Sequence, residues 1–311
     1  MRGFRSWIGW ALIALVAFVA CLWIGPAHAT REIVLTLRLP RVGLGFLVGM
    51  ALASAGVILQ SLLRNPLADP FVLGTSSGAS FGVLAATLLH IRATLGLQAS
   101  AFAFALLTMA AVYRMARTGT RVPVPTLILA GVIVSTFLNS LVFLAFSLFY
   151  RESFSAIFFL LGSLANATPT SAGAALLFII PSVIVACVFS RTLDVLSQGE
   201  EASLSLGVDP ERLKQLFFIL SSLMVAAAVT ASGMIGFVGL TVPHLLRLVM
   251  GPGHRRLLPA AAFGGGTLLI VMDAVARTAA SPAEIPVGVI AAILGTPFFI
   301  YLLRRHKGGV F

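Results

Sequence analysis

Ten mostly apolar stretches, most of them close to twenty residues long, constrain this chain more than any other feature. They run near 7–25, 42–63, 71–91, 95–113, 124–149, 172–190, 213–231, 235–250, 257–276 and 285–303. A bilayer core of about 30 Å takes roughly 20 helical residues to cross. In lipid every backbone N–H and C=O needs a partner within the chain, which leaves helices or closed barrels. Unbroken apolar runs, without polar alternation, select helices. The expectation is an all-α polytopic membrane protein with ten transmembrane helices, forming one domain over 1–311. Composition agrees: 59% of the 311 residues are hydrophobic and 10% are charged, too few charges to cover a soluble surface. A further apolar stretch, Phe154 to Leu164, is too short to span and is expected at or dipping into the membrane surface.

The N-terminus imitates a signal peptide, with Arg2, Arg5, an apolar run and Ala27-His28-Ala29. The run from Trp7 to Ile24 exceeds the roughly 7–15 residues of a signal core, so it is read as the first span. Cys21 and Cys187 lie inside apolar runs and read as small packing residues.

Orientation follows from Lys and Arg. With ten spans both termini share a side. That side collects fifteen of the 21 basic residues; the other holds Arg31, Arg38, Arg41, Arg92, Arg151 and Arg277. The bias places both termini, and the loop at 197–214, in the cytoplasm. The net charge of +11 therefore speaks of topology and anionic membrane lipid, and gives no reason to invoke nucleic acid. Arg38, Arg41 and Arg277 run against the bias at ends of spans. Each could snorkel to headgroups, and together they could form a basic dock for an acidic soluble partner. Asp273 and Arg277, four apart on one helical face, suggest a local ion pair.

Gly56, Pro66 and Gly74 recur at the offsets of Gly233, Pro243 and Gly251. These segments begin in spans two and seven, which run in opposite directions. An inverted repeat relating helices 2–5 and 7–10 would produce this, and such repeats are typical of transporters.

Catalytic signatures are missing. There is no G-x-x-x-x-G-K-[ST] loop, and Lys214 and Lys307 are the only lysines, so no P-loop for ATP is present. There is no H-E-x-x-H, and the five histidines are scattered; His244, after Pro243, reads as either a ligand or a lone satisfied histidine. Asp273 is the clearest acid inside a span, whereas ion-driven carriers place ionisable groups near the midplane.

Two polar stretches carry information. Ser197 to Lys214 is the longest polar run. Ser197 and Glu200 have capping-box spacing, Glu200 and Glu201 suit a first helical turn, Gly207 suits a left-handed stop, and Asp209-Pro210 suits a restart. Two short capped helices are expected, as a handle for a soluble partner or as a solvated connector. Arg64 to Ser80 holds Asn65-Pro66 and Asp69-Pro70, two turns or helix starts. Small residues follow, including Ser76 and Ser77, which either line a pathway or let helices pack closely.

RLPR (38–41), the Gly49–Gly56 run, QSLLRNPLADPFVLGTSSGA (60–79), LILAG (127–131), GEEASLSLGV (199–208), GMIGFVGLTVPHLLRLVMGPGHRRLLP (233–259) and EIPVGVIAAILGTPFFIYLLRR (284–305) together resemble the FecCD family. These are the permeases of ABC importers for cobalamin, haem and iron siderophores. The resemblance runs from about residue 30 to 305, in order. It implies a homodimer with a central pathway in the bacterial inner membrane. It also implies two ABC ATPase subunits, which bind the ATP and Mg, and a periplasmic substrate-binding protein; no cofactor is expected in this chain. Glu201-Ala202-Ser203-x-x-x-Gly207 is similar to the loop by which ABC permeases engage their ATPases, with Ser203 in place of a second Ala. ATPase coupling then falls to Glu200, Glu201, Ala202, Leu206, Gly207 and Val208. Arg38, Arg41 and Arg277 fall where the family presents arginines to the binding protein. The family's cytoplasmic gate falls near Val124, Pro125 and Thr126, where Val and Pro replace small hydroxyl residues. A self-sufficient ion-coupled secondary carrier is the rival reading.

Overall fold

The computed structural model describes residues 2–26, 30–91, 93–119, 121–149 and 161–305. Helices occupy each of the ten apolar stretches. They are α1 (Arg2–Trp23), α2 (Arg31–Leu62), α3 (Thr75–Leu88), α4 (Thr94–Ala116), α5 (Val124–Leu148), α6 (Pro169–Val188), α9 (Pro210–Ser232), α10 (Val238–Met250), α11 (His254–Thr278) and α12 (Val287–Arg305). Between α6 and α9 lie two short helices, α7 (Ser190–Gln198) and α8 (Glu200–Ser205). Among the described residues there is no strand; one isolated bridge pairs Thr118 with Arg121. Among the described residues six helices are long and apolar enough to cross a membrane: α2, α4, α5, α6, α9 and α11. α3 and α10, at 14 and 13 residues, are shorter than a bilayer requires.

α2 is the centre of the bundle, packed by α11, α9, α10 and α6. Its small residues permit this. A Cβ on Gly49 would strike the backbone of Gly265 and Gly266 on α11, and one on Gly56 would strike the backbone of Gly239 on α10. Without a hydrophobic driving force between helices in lipid, such close approach supplies the packing. The first turns of α2 are widened over Val34–Arg38, so the helix begins well before the expected 42. α1 packs on α11, and the Cys21 thiol lies 3.6 Å from the Ile270 carbonyl. Ala27-His28-Ala29 lies outside the described residues.

Most of the 154–164 stretch also lies outside the described residues. Its described end dips inward: Ser163 N donates to Ser232 O (2.7 Å), Gly288 N donates to Gly162 O (3.1 Å), and Leu164 is buried. The Gly-Pro-Gly echo shares local structure only at its last position. Gly56 is inside α2 whereas Gly233 ends α9 at φ +71°, and Pro66 is in a turn whereas Pro243 is inside α10. Gly74 and Gly251 alone correspond, both with positive φ.

Candidate functional site

The loop between α6 and α9 folds as helix, turn, helix, turn. The expected Ser197–Glu200 capping box does not form. Ser197 is still inside α7, where its hydroxyl donates to Asp194 O (2.7 Å), and Gly199 at φ +128° breaks the chain before Glu200. The apolar side chains of α7, Leu193 and Leu196, are buried and extend the helix further back than its polar letters suggested. The stop and restart are as expected. Gly207 (φ +74°) donates to Leu204 O (3.0 Å) and Val208 N to Ser203 O (2.9 Å), the paired bonds of a Schellman ending. Asp209 Oδ1 then accepts from Glu211 N and Arg212 N. That restart opens the long span α9 itself, with no second short helix.

α8 is thus a rigid single turn and a half on the molecule's end. Its inner face is held by Ser203, whose buried hydroxyl donates to Gly199 O (2.8 Å) and lies 3.4 Å from Val195 O of α7. The hydroxyl that departs from the family pattern therefore pins α8 to α7. Its outer face presents Glu201, Gly207 and two bare leucines, Leu204 (58% exposed) and Leu206 (62%); Ala202 and Val208 are half-buried beside them. Leu204 was missing from the sequence-based set. Its place on the outer face follows from spacing relative to buried Ser203, which only the fold reveals.

Glu200 points inward. Its Oε1 lies 2.6 Å from Lys214 Nζ on α9, and that bond holds its carboxyl below the usual range. Lys214 also meets Glu211 Oε1 (2.7 Å) and donates to Val122 O (3.4 Å), while Glu211 Oε2 accepts from Val122 N (3.2 Å). Val122 precedes α5 by two residues. A cavity of about 300 Å³ beside this node is lined by Pro123, Val124, Pro125, Leu196, Glu200 and Lys214, among others. The structure therefore brings the coupling candidate Glu200 and the gate candidates Val124 and Pro125 around one buried lysine; Thr126 lies half-buried in the same first turn of α5.

Ser76 and Ser77 are on α3, buried in the subunit; Ser76 Oγ lies 3.0 Å from Met234 Sδ. The turns before them form as expected, with Asn65 Oδ1 accepting from Leu67 N and Asp69 Oδ1 from Phe71 N.

At the other end Arg41 meets Asp273 (3.0 Å) and Glu284 (2.8 Å), and Arg277 meets the same Asp273 (3.2 Å). The expected Asp273–Arg277 pair is present, within a larger network. Arg277 also donates to Cys21 O (3.2 Å), and Arg38 donates to Leu22 O and Trp23 O. Arg38 and Arg277 are 5% and 3% exposed. These arginines stitch α1, α2 and α11 together instead of snorkelling.

One constellation had no sequence signal. Asp194 Oδ1 lies 2.6 Å from His254 Nδ1, and His254 Nε2 lies 2.5 Å from Ser61 Oγ. The order is that of a hydrolase triad, but Ser61 is buried and 2.9 Å from Val57 O. It ties α7, α11 and α2 and offers a substrate no access. Among the described residues no three His, Cys, Asp or Glu converge as metal ligands.

Fold and site define an integral membrane protein of packed helices with a capped helical appendage at one end. The chain belongs to the FecCD transport family, whose profile matches residues 7–305. It is 43% identical to the cobalamin import system permease protein BtuC of Halobacterium salinarum, over 94% of this chain and 79% of that one. It is 38% identical to the hemin transport system permease protein HmuU of Yersinia pestis, over 90% and 85%. A solved inward-facing structure assigned to a metal-chelate type ABC transporter superposes with a TM-score of 0.90 at 31% identity, covering 97% of this chain and 99% of the other.

Proposed function

We propose that this chain is the permease subunit of a binding-protein-dependent ABC importer that moves a bulky metal chelate across the bacterial inner membrane. Ten helices cross, α3 and α10 as short spans within the bundle, and spans two to five (α2–α5) and seven to ten (α9–α12) form the inverted repeat. Two copies enclose the pathway, two ABC ATPase subunits hold ATP and Mg on the cytoplasmic side, and a periplasmic protein delivers the chelate. Both termini and α8 are cytoplasmic. Relatives named for cobalamin and hemin support a chelate of this class, a ferric siderophore, haem or cobalamin.

The observation that carries this reading is the joint at Lys214. α8 presents Glu201, Leu204, Leu206 and Gly207 to a soluble partner. Glu200, Lys214, Glu211 and Val122 then link α8 to the head of α5 by charge-assisted bonds. A push on α8 by an ATPase reaches Val124, Pro125 and Thr126 within a few contacts. Ser76 and Ser77 are assigned to the pathway in another conformation of the cycle. The binding protein docks on the opposite end around Arg41, with Arg38 and Arg277 bracing the helices beneath.

The carrier reading loses its candidate coupling group, since Asp273 is engaged by both Arg41 and Arg277. The test is co-expression with the host's ABC ATPase subunits, purification through a tag on this chain, and ATPase assay in nanodiscs with periplasmic binding proteins. A stoichiometric complex stimulated by one binding protein is expected, and that protein's ligand names the substrate. A chain that purifies alone and drives uptake from an ion gradient overturns the proposal.

A further inference from the structure

α4 and α9 pack against each other and leave two cavities along their seam, which together form a groove. At the end nearer α8 it opens into a cavity of about 380 Å³ lined by Leu106, Ala110, Tyr113, Arg114, Gln215 and Ile219, among others. Toward the other end it widens again to about 240 Å³, where Phe102, Ala227, Thr230 and Ala231 meet α6. Both cavities lie on one face of each helix: Leu95, Phe102, Leu106 and Tyr113 on α4, and Ile219, Leu223, Ala227 and Ala231 on α9. That spacing of four or seven keeps one side of a helix in register. From Leu95 to Arg114 the two cavities span about 28 Å at 1.5 Å per residue, close to the roughly 30 Å of a bilayer core.

The groove is apolar along its length and polar at one rim. Arg114 stands exposed there in the last turn of α4, with exposed Arg117 one turn on. The Arg114 guanidinium makes no hydrogen bond or ion pair among the described residues. Gln215 is exposed opposite. The Tyr113 hydroxyl is shielded from water and has Gln215 as its polar neighbour; the Thr230 hydroxyl deeper in the groove is shielded from water and unpaired among the described residues. The acid nearest this rim, Glu211, is already held by Lys214 and Val122 N. The rim therefore combines two positive charges, an amide and a phenol hydroxyl, with no acid left to neutralise it. An occupant must be apolar over the thickness of the membrane and anionic at its end.

We propose that the α4–α9 groove is a binding site for one anionic phospholipid of the leaflet on the α8 side, with its phosphate at Arg114, Gln215 and Tyr113. An acyl chain lies along Leu106 and Ile219. The headgroup lies one helical turn from Glu211 and Lys214, so the lipid braces the base of α9 from which α8 hangs. The inference rests on membrane embedding and the groove, and it stands whether or not an ATPase is the partner of α8.

The test is native mass spectrometry of the purified, delipidated transporter titrated with phosphatidylglycerol or phosphatidylcholine. Wild type is expected to retain one phosphatidylglycerol per subunit in preference to phosphatidylcholine. Arg114→Gln should erase that preference, lowering phosphatidylglycerol binding about five-fold, the usual effect of one basic residue on an anionic lipid. Ala110→Phe, which fills the groove and leaves the rim charges, should lower binding of both lipids. Equal binding of each lipid by wild type and both variants overturns the proposal. So does disulfide crosslinking of Ala110→Cys subunits to each other, which would give the groove to a second copy.

Discussion

Each end of the molecule buries a cation against carboxylates, and the two ends use it in opposite ways. At the Arg41 end the shared acid, Asp273, has a side chain 2% exposed, and both its partners sit on long helices packed side by side. Glu284, 40% exposed on the segment after α11, is the one mobile partner, but the Arg41–Asp273 bond cannot part without separating α2 from α11, so it acts as a clamp. At the Lys214 end the lysine is 7% exposed but its partner Glu200 is 38% exposed and stands on the short helix α8, between glycines at φ +128° and +74°. One partner can swing while Glu211 keeps the lysine's charge compensated. The same chemistry is a clamp where both partners are on rigid spans, and a joint where one is on a hinged appendage.

The largest effect should come from breaking the clamp. Asp273→Ala leaves Arg277 without a carboxylate and Arg41 with Glu284 alone, and breaking a buried pair in this way costs about 3–5 kcal/mol. Thermal unfolding in detergent should show a large loss of stability or of folded yield; a variant as stable as wild type would remove the distinction between the two ends. Lys214→Met should leave the bundle folded yet lower transport about tenfold, within the usual range of coupling energies, with Lys214→Arg retaining most of it. Gly207→Pro removes the N–H that bonds Leu204 O and forbids the observed φ. It should uncouple hydrolysis from uptake several-fold, as should a bulky residue at Glu201; uptake at the wild-type level would withdraw α8 from the coupling role. A smaller effect is expected from Arg41→Glu alone or with charge reversal at Arg38 and Arg277. Binding-protein affinity measured at low salt should fall and the difference should shrink as salt rises; unchanged affinity at low salt would confine these arginines to bracing.

The smallest effect concerns pH. Lys214 lowers the folded-state pKa of Glu200, so the joint's contribution is present above the ordinary carboxylate pKa of about 4.3. It is lost only as pH falls through the lowered value. ATPase coupling should stay flat from neutrality down to the carboxylate range, and a break near neutral pH would mean another group controls the joint.

Helix positions were legible because apolar length and Gly/Pro punctuation are local properties. α4, α5 and α9 begin and end within a few residues of expectation, and Gly207 stops α8 through the conformation its residue type allows. The capping box at Ser197 failed because the same local letters continue a helix once Leu193 and Leu196 find a core to fill. The polar groupings were not legible, because they join distant segments. Arg41 and Glu284 are 243 residues apart, and Ser61 and His254 are 193 apart. The three arginines stood out by their side of the membrane, but whether they face a partner or each other depends on how α1, α2 and α11 pack.

The most direct test of the joint is the ratio of substrate imported to ATP hydrolysed by the Lys214→Met transporter, reconstituted with its ATPase and binding protein in liposomes. The account predicts an assembled complex that still hydrolyses ATP while the ratio falls about tenfold. A ratio equal to wild type, or uptake and hydrolysis falling in parallel, would contradict it.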